Sequence, residues 1–164
     1  MSVTVDLSVE SPQWSSLHDL PGLARRAIEA AAAESEPDLS PSGEVSCLFC
    51  DDQTIRSLNA RWRGIDKATN VLSFPAAASG NSGEGVLLGD IVLAFETVER
   101  EAALESKPLE AHVLHLLVHG FLHLIGFDHE DSAEAEVMEA LESRTMLRLG
   151  CADPYAERHA TDAS

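Results

Sequence analysis

Pro108-Leu-Glu-Ala-His112-Val-Leu-His115-Leu-Leu-Val-His119-Gly-Phe-Leu-His123-Leu-Ile125 is the stretch from which the fold is read. Proline suits the first turn of a helix, because the N–H it lacks would have no partner there. At about 100° per residue, Leu109, Val113, Leu116, Leu117, Gly120 and Leu124 share one face. Leu114, Val118, Phe121 and Ile125 cover the next, and Leu122 most of a third. A helix apolar almost all round belongs in the interior of a domain. Its main polar stripe is His112, His115, His119 and His123.

Weaker elements surround this helix. Val3, Val5 and Leu7 alternate with polar residues and predict a strand. Leu17 to Ala33 has helical composition, closed by the Ser/Pro-rich segment from Glu34 to Gly43. Val45 to Cys50 predicts a second strand, running into a short helix with Ile55 and Leu58 on one face and Asp51 or Asp52 as N-cap. Asn70 to Phe74 and Gly89 to Phe95 are two further strands, separated by a loop rich in Ala, Ser and Gly from Ala76 to Gly85. Thr97 is placed to cap a helix towards Ser106. Ser132 to Leu149 is the last helix, with Gly150 at its C-cap. The expected fold class is α+β: one domain over residues 1–150, with a small mixed β-sheet of about four strands, about five helices and the histidine helix buried at its centre. Residues 151–164 are expected to form a flexible polar tail.

The histidine stripe carries the chemistry. His119 and His123 stand four apart, so both can reach one metal ion at about 2.0–2.1 Å. His115 cannot easily join them, since it lies about 12 Å from His123 along the axis. A third ligand must come from chain that has left the helix. Gly126 breaks the helix, and Phe127 and Asp128 lead to His129. Three imidazoles suit one Zn²⁺ per chain and leave a fourth position for water, the mark of a catalytic rather than a structural site. His115 is then a group behind the ligands or facing substrate, and Asp128 and Glu130 flank the last ligand, able to orient a histidine or accept a proton. Gly120 occupies the place where His-Glu-x-x-His proteases carry their general base, so that form of protease chemistry is absent. Gly120 is also expected to leave room for a substrate beside the metal.

The chain has 164 residues, is 45 % hydrophobic and carries a net charge of −17. Such acidity argues against a non-specific nucleic-acid binder. The charge is uneven. Between Asp51 and Pro75 stand Arg56, Arg61, Arg63 and Lys67 against only Asp51, Asp52 and Asp66; Arg61, Arg63 and Lys67 are either ordinary solvated side chains or the place where an anionic substrate would be held. Trp62, between two arginines, is suited either to packing or to stacking on a base. Three cysteines and no export signal or membrane span point to a cytoplasmic protein without a disulfide framework. Cys47-Leu-Phe-Cys50 has redox spacing, but in a strand its two thiols point to opposite faces, so both are expected to be small core residues.

His119-Gly-Phe-Leu-His123-Leu-Ile-Gly-Phe-Asp-His129 resembles the signature of the bacterial YbeY family of metal-dependent, single-strand-specific endoribonucleases. Leu58-Asn-Ala-Arg-Trp-Arg63 with Thr69-Asn-Val-Leu-Ser-Phe-Pro75, and Leu88-Gly-Asp-Ile-Val92, are similar to two further blocks of that family. The resemblance implies zinc on His119, His123 and His129, and a functional arginine at Arg63 in the cleft near the metal. It also implies a role in 3′-end maturation of small-subunit ribosomal RNA and in ribosome quality control. Arg63, His115 and Asp128 are the candidate catalytic residues. The expected partners are single-stranded ribosomal RNA and the small subunit or ribosome-associated proteins, with no membrane. Because so acidic a chain binds free RNA weakly, most affinity is expected to come from the ribosomal particle or a protein partner. Two rivals stay open: another zinc hydrolase (a peptidase or amidase), and a non-catalytic ribosome-assembly factor with a structural metal.

Overall fold

A computed structural model describes residues 3–35, 43–76, 87–128 and 130–156. Four strands, β1 (Val3–Val9), β2 (Gly43–Cys50), β3 (Val71–Pro75) and β4 (Leu87–Ala94), form one sheet in the order β1-β2-β4-β3. β1 and β4 both run parallel to β2, and β3 pairs antiparallel with β4 at the edge. Among the described residues there are also five α-helices, α1 (Leu20–Glu34), α2 (Asp52–Arg63), α3 (Phe95–Leu104), α4 (Leu109–Leu124) and α5 (Ser132–Arg148), and a 3-10 turn at Pro12–Ser16. The α+β reading with a mixed four-stranded sheet therefore holds. No helix among the described residues is long and apolar enough to cross a membrane. The Ala/Ser/Gly-rich loop lies largely outside the described residues.

Strand alternation sorts the core. Val45, Cys47 and Phe49 of β2, with Ile91 and Leu93 of β4, join one large cluster with α1, α4 and α5. Cys50, Leu72, Val92 and Ala94 face the other way and pack with Ile55 of α2. The two cysteines of the Cys-x-x-Cys segment thus fall into separate clusters, as their spacing requires. Burial pushes both thiols up to about 12, with nearby carboxylates (Asp90 at Cys47, Asp51 at Cys50) adding to the shift.

α4 packs against one face of this sheet, beside α1, α3 and α5, while α2 lies on the opposite face. Val113, Leu117, Val118, Phe121 and Leu122 are fully buried. Each such side chain contributes roughly 1.5–3 kcal/mol by leaving water, so packing holds α4 in place more than intrinsic propensity does. Gly120 makes the close approach to the sheet. A Cβ there would meet Ile91 Cγ2 at 2.9 Å and Ser73 Oγ at 3.0 Å, and Ser73 Oγ donates to the Gly120 carbonyl at 3.1 Å. The expectation that Gly120 leaves room for a substrate is corrected by this contact: the space is filled by β3 and β4.

Helix starts follow local chemistry in part. Asp51 accepts from Thr54 N at 2.8 Å and Asp131 from Glu134 N at 2.8 Å. α3 departs from expectation, because Thr97 does not cap it. Asp52 Oδ1 accepts from both Thr97 N at 3.1 Å and Thr97 Oγ1 at 2.8 Å, while Glu96 Oε1 accepts from Asp52 N at 3.0 Å. The starts of α2 and α3 therefore cap each other. Beyond α5, Tyr155 Oη donates to Glu142 Oε1 at 2.8 Å, and Asp153 Oδ1 accepts from Ser143 Oγ at 2.7 Å. This part of the expected tail is fastened to α5, and residues 157–164 lie outside the described residues.

Candidate functional site

The C-terminal half of α4, the edge strand β3 and the end of α2 enclose a cleft of about 590 Å³. That volume lies within the ~300–1,000 Å³ usual for ligand sites. Arg63, Asn70, Ser73, His119, His123 and Asp128 supply its polar lining. Arg63 arrives on the last turn of α2. Asp128 arrives just after Gly126, whose φ of +107° takes the chain sharply out of the helix and is a conformation that L side chains rarely adopt.

His119 Nε2 and His123 Nε2 approach to 3.1 Å, with the rings edge to face at 82°. Two nitrogens bound to one tetrahedral zinc at about 2.0–2.1 Å would be about 3.3 Å apart. The observed 3.1 Å is a hydrogen-bond distance between the rings and lies close to that value. His129, the expected third ligand, lies outside the described residues. Among the described residues no group of three or more potential ligands converges; His119 and His123 bring two.

Behind this pair lies a residue that sequence reasoning missed. Glu142 of α5 is 1 % exposed. Its carboxylate accepts from His115 Nε2 at 2.5 Å, from His119 Nδ1 at 3.2 Å and from Tyr155 Oη at 2.8 Å. Burial by itself raises the pKa of such a group. The hydrogen bonds from His115 and His119, with the charge of those rings, outweigh it and hold the carboxyl at about 2. An ionised carboxylate only accepts, so His119 carries a proton on Nδ1, and in the neutral form of the ring the Nε2 lone pair is left on the side of His123. This is the orientation that a carboxylate behind a metal-binding histidine enforces. A signal existed in the sequence: Glu142 shares a stripe with Met138, Leu141, Thr145 and Met146, all buried, where a glutamate needs a partner.

The other histidines of the stripe are occupied away from the cleft. His115 rests on Glu142 and meets the Tyr155 ring edge to face, and it is not among the cleft-lining residues. The buried His112 bonds through Nε2 to Glu101 Oε1 of α3 at 2.9 Å. The same oxygen accepts from Asn70 Nδ2 at 2.9 Å, which fixes Asn70 at the cleft wall. Gly120 meets the sheet where a protease would carry its glutamate, so α4 has no space for that side chain.

Comparison with known proteins places these features in a family. The sequence model of the family described as "Endoribonuclease YbeY" matches residues 9–150. A curated relative of that name from Rhizobium meliloti (strain 1021) is 49 % identical, covering 96 % of this chain and 97 % of the relative. Another from Agrobacterium fabrum is 50 % identical over 94 % of this chain and 96 % of the relative. Among solved structures, the solution structure of TM1509 from Thermotoga maritima superposes with a TM-score of 0.59 at 23 % identity. It covers 96 % of this chain and 93 % of that one, a likeness of fold.

Proposed function

The chain belongs to the YbeY endoribonuclease family, and from that premise we propose that it is a zinc-dependent endonuclease for single-stranded RNA. Its role would be 3′-end maturation of small-subunit ribosomal RNA and ribosome quality control. The observation that carries the reading is the His119–His123 pair, with Nε2 atoms 3.1 Å apart in a cleft that also presents Arg63. The residues fit zinc: two imidazoles of suitable spacing, one oriented by a buried carboxylate, with His129 as third ligand. When bound, zinc would supply a Lewis acid and a depressed pKa for a coordinated water.

The protein's own groups take the remaining tasks. Arg63 offers a planar guanidinium that can grip two oxygens of a phosphodiester and offset the charge gained at phosphorus. Asn70, fixed through Glu101, is placed to hold the ribose–phosphate backbone. Asp128, also in the cleft lining, is suited to accept a proton from the attacking oxygen. His115 supports the centre indirectly, by sharing Glu142 with His119.

The ribosomal small subunit or its proteins would supply much of the affinity that a chain of net charge −17 lacks for free RNA. The test is cleavage of a single-stranded RNA by wild type, chelator-treated protein and His123→Ala, each shown folded by circular dichroism. Activity confined to the metal-loaded wild type supports the reading. Equal cleavage by all three would overturn it.

A further inference from the structure

The end of α2 carries a surface that the cleft does not explain. Trp62 is 64 % exposed and Ile65 beside it 43 % exposed. The other tryptophan, Trp14, is buried, packed edge-on against Phe49 and Phe95 and donating to the Cys50 carbonyl at 2.8 Å. The packing alternative left open for Trp62 by the sequence is therefore not taken. Arg61 Cζ lies 5.3 Å from the Trp62 ring centroid, within cation–π range.

The backbone beneath the indole is held firmly. Arg56 grips Asp66 through two bonds of 2.7 and 3.2 Å. The buried Asn59 donates through Nδ2 to the Lys67 carbonyl at 2.9 Å, and its backbone carbonyl accepts from Ile65 N at 3.3 Å. Charge collects here too. Among the described residues the arginines and lysines without an ion pair are Arg25, Arg61, Arg63, Lys67 and Arg100. Three of these five lie between positions 61 and 67, on a chain that is otherwise strongly acidic.

An exposed indole with Arg61 over its ring, in a segment that also carries Arg63 and Lys67 without an ion pair, has the chemistry that binds unpaired bases and their phosphates. The next residue, Arg63, lines the cleft. Trp62 precedes Arg63 directly in the chain, so a strand whose phosphate was held by Arg63 would run close to the residue that carries the indole. We propose that Trp62, flanked by Arg61 and Lys67, is a base-stacking subsite for the nucleotide next to the one held in the cleft. The subsite rests on the nuclease reading and adds to it a source of strand selectivity. In a duplex both faces of a base are covered by its neighbours, so only an unpaired base can lie on the indole.

The two tryptophans make the test direct. Trp14→Phe protein, whose emission then comes from Trp62, is titrated with a 12-nucleotide oligoadenylate and, separately, with its duplex with oligouridylate. The single strand should quench the emission and the duplex should not. Trp62→Ala should weaken oligoadenylate binding roughly 5- to 150-fold, the range of one lost base–aromatic stack. It should raise KM for RNA cleavage while kcat changes less than twofold, and Trp62→Phe should recover most of the affinity. Unchanged Kd and KM in Trp62→Ala, or equal quenching by the duplex, would overturn the subsite and return this surface to contact with a protein. Quenching and tight binding without cleavage by metal-loaded wild type would keep the subsite and sink the nuclease reading instead.

Discussion

Glu142→Gln separates a positioning role from a merely structural one. The wild-type carboxylate accepts three hydrogen bonds, from His115, His119 and Tyr155. The amide is nearly isosteric but has one oxygen and one NH2. If the oxygen stays with His115 and Tyr155, the NH2 meets His119 Nδ1 and forces that ring's proton to Nε2, the atom 3.1 Å from His123 Nε2. If the amide turns over, the NH2 faces the His115 N–H and that bond is lost. Hydrogen bonds to a charged group contribute about 1.5–3 kcal/mol each, and one of three is frustrated either way. The expected loss is therefore about 2–3 kcal/mol, or roughly 4–12 °C in Tm for a chain of this size. Zinc affinity should fall about 10- to 100-fold. Thermal unfolding in chelator measures the first quantity, and competition with a chromophoric chelator the second. A variant within about 0.5 kcal/mol of wild type, with zinc affinity unchanged within twofold, would refute the assigned role of Glu142.

Three further outcomes follow from other parts of the molecule. Asp52→Ala removes the acceptor for two donors of Thr97 and should cost about 1–2 kcal/mol in urea unfolding, the range of a lost cap; a neutral result would disprove the shared capping of α2 and α3. Gly120→Ala should be destabilising by about 1–2 kcal/mol despite the better helix propensity of alanine, since overpacking against Ile91 and Ser73 costs about 1–3 kcal/mol; a more stable variant would show that α4 has slack against the sheet. Cys47 and Cys50, with thiols pushed up to about 12, should resist alkylation by iodoacetamide at pH 8 in the folded protein. They should react once urea unfolds it, because thiolate is the reactive form, and rapid labelling of the folded state would contradict their burial.

Some of this was legible along the chain. The all-round apolar pattern of Leu109 to Leu124 announces a buried helix, and the four-residue step from His119 to His123 puts both rings in one cleft. Both depend only on helical periodicity. Asp51, one of the two cap candidates for α2, reaches a donor three residues away, a distance that local composition encodes. Trp62 stood between two outcomes, packed or exposed, because nothing in its neighbours records what covers it.

What sequence alone determined, then, is what repeats within a turn or two: helix faces, caps, and the histidine pair. Tertiary structure decided everything that joins distant positions. Glu142 meets His115 and His119 across 27 and 23 residues, and Asp52 meets Thr97 across 45. The order β1-β2-β4-β3 and the reversed edge strand belong to the same class. A strand's pattern says which side is apolar but not which neighbour it pairs with. The stripe around Glu142 says that this carboxylate needs a partner, but not that His115, His119 and Tyr155 are the groups that supply it.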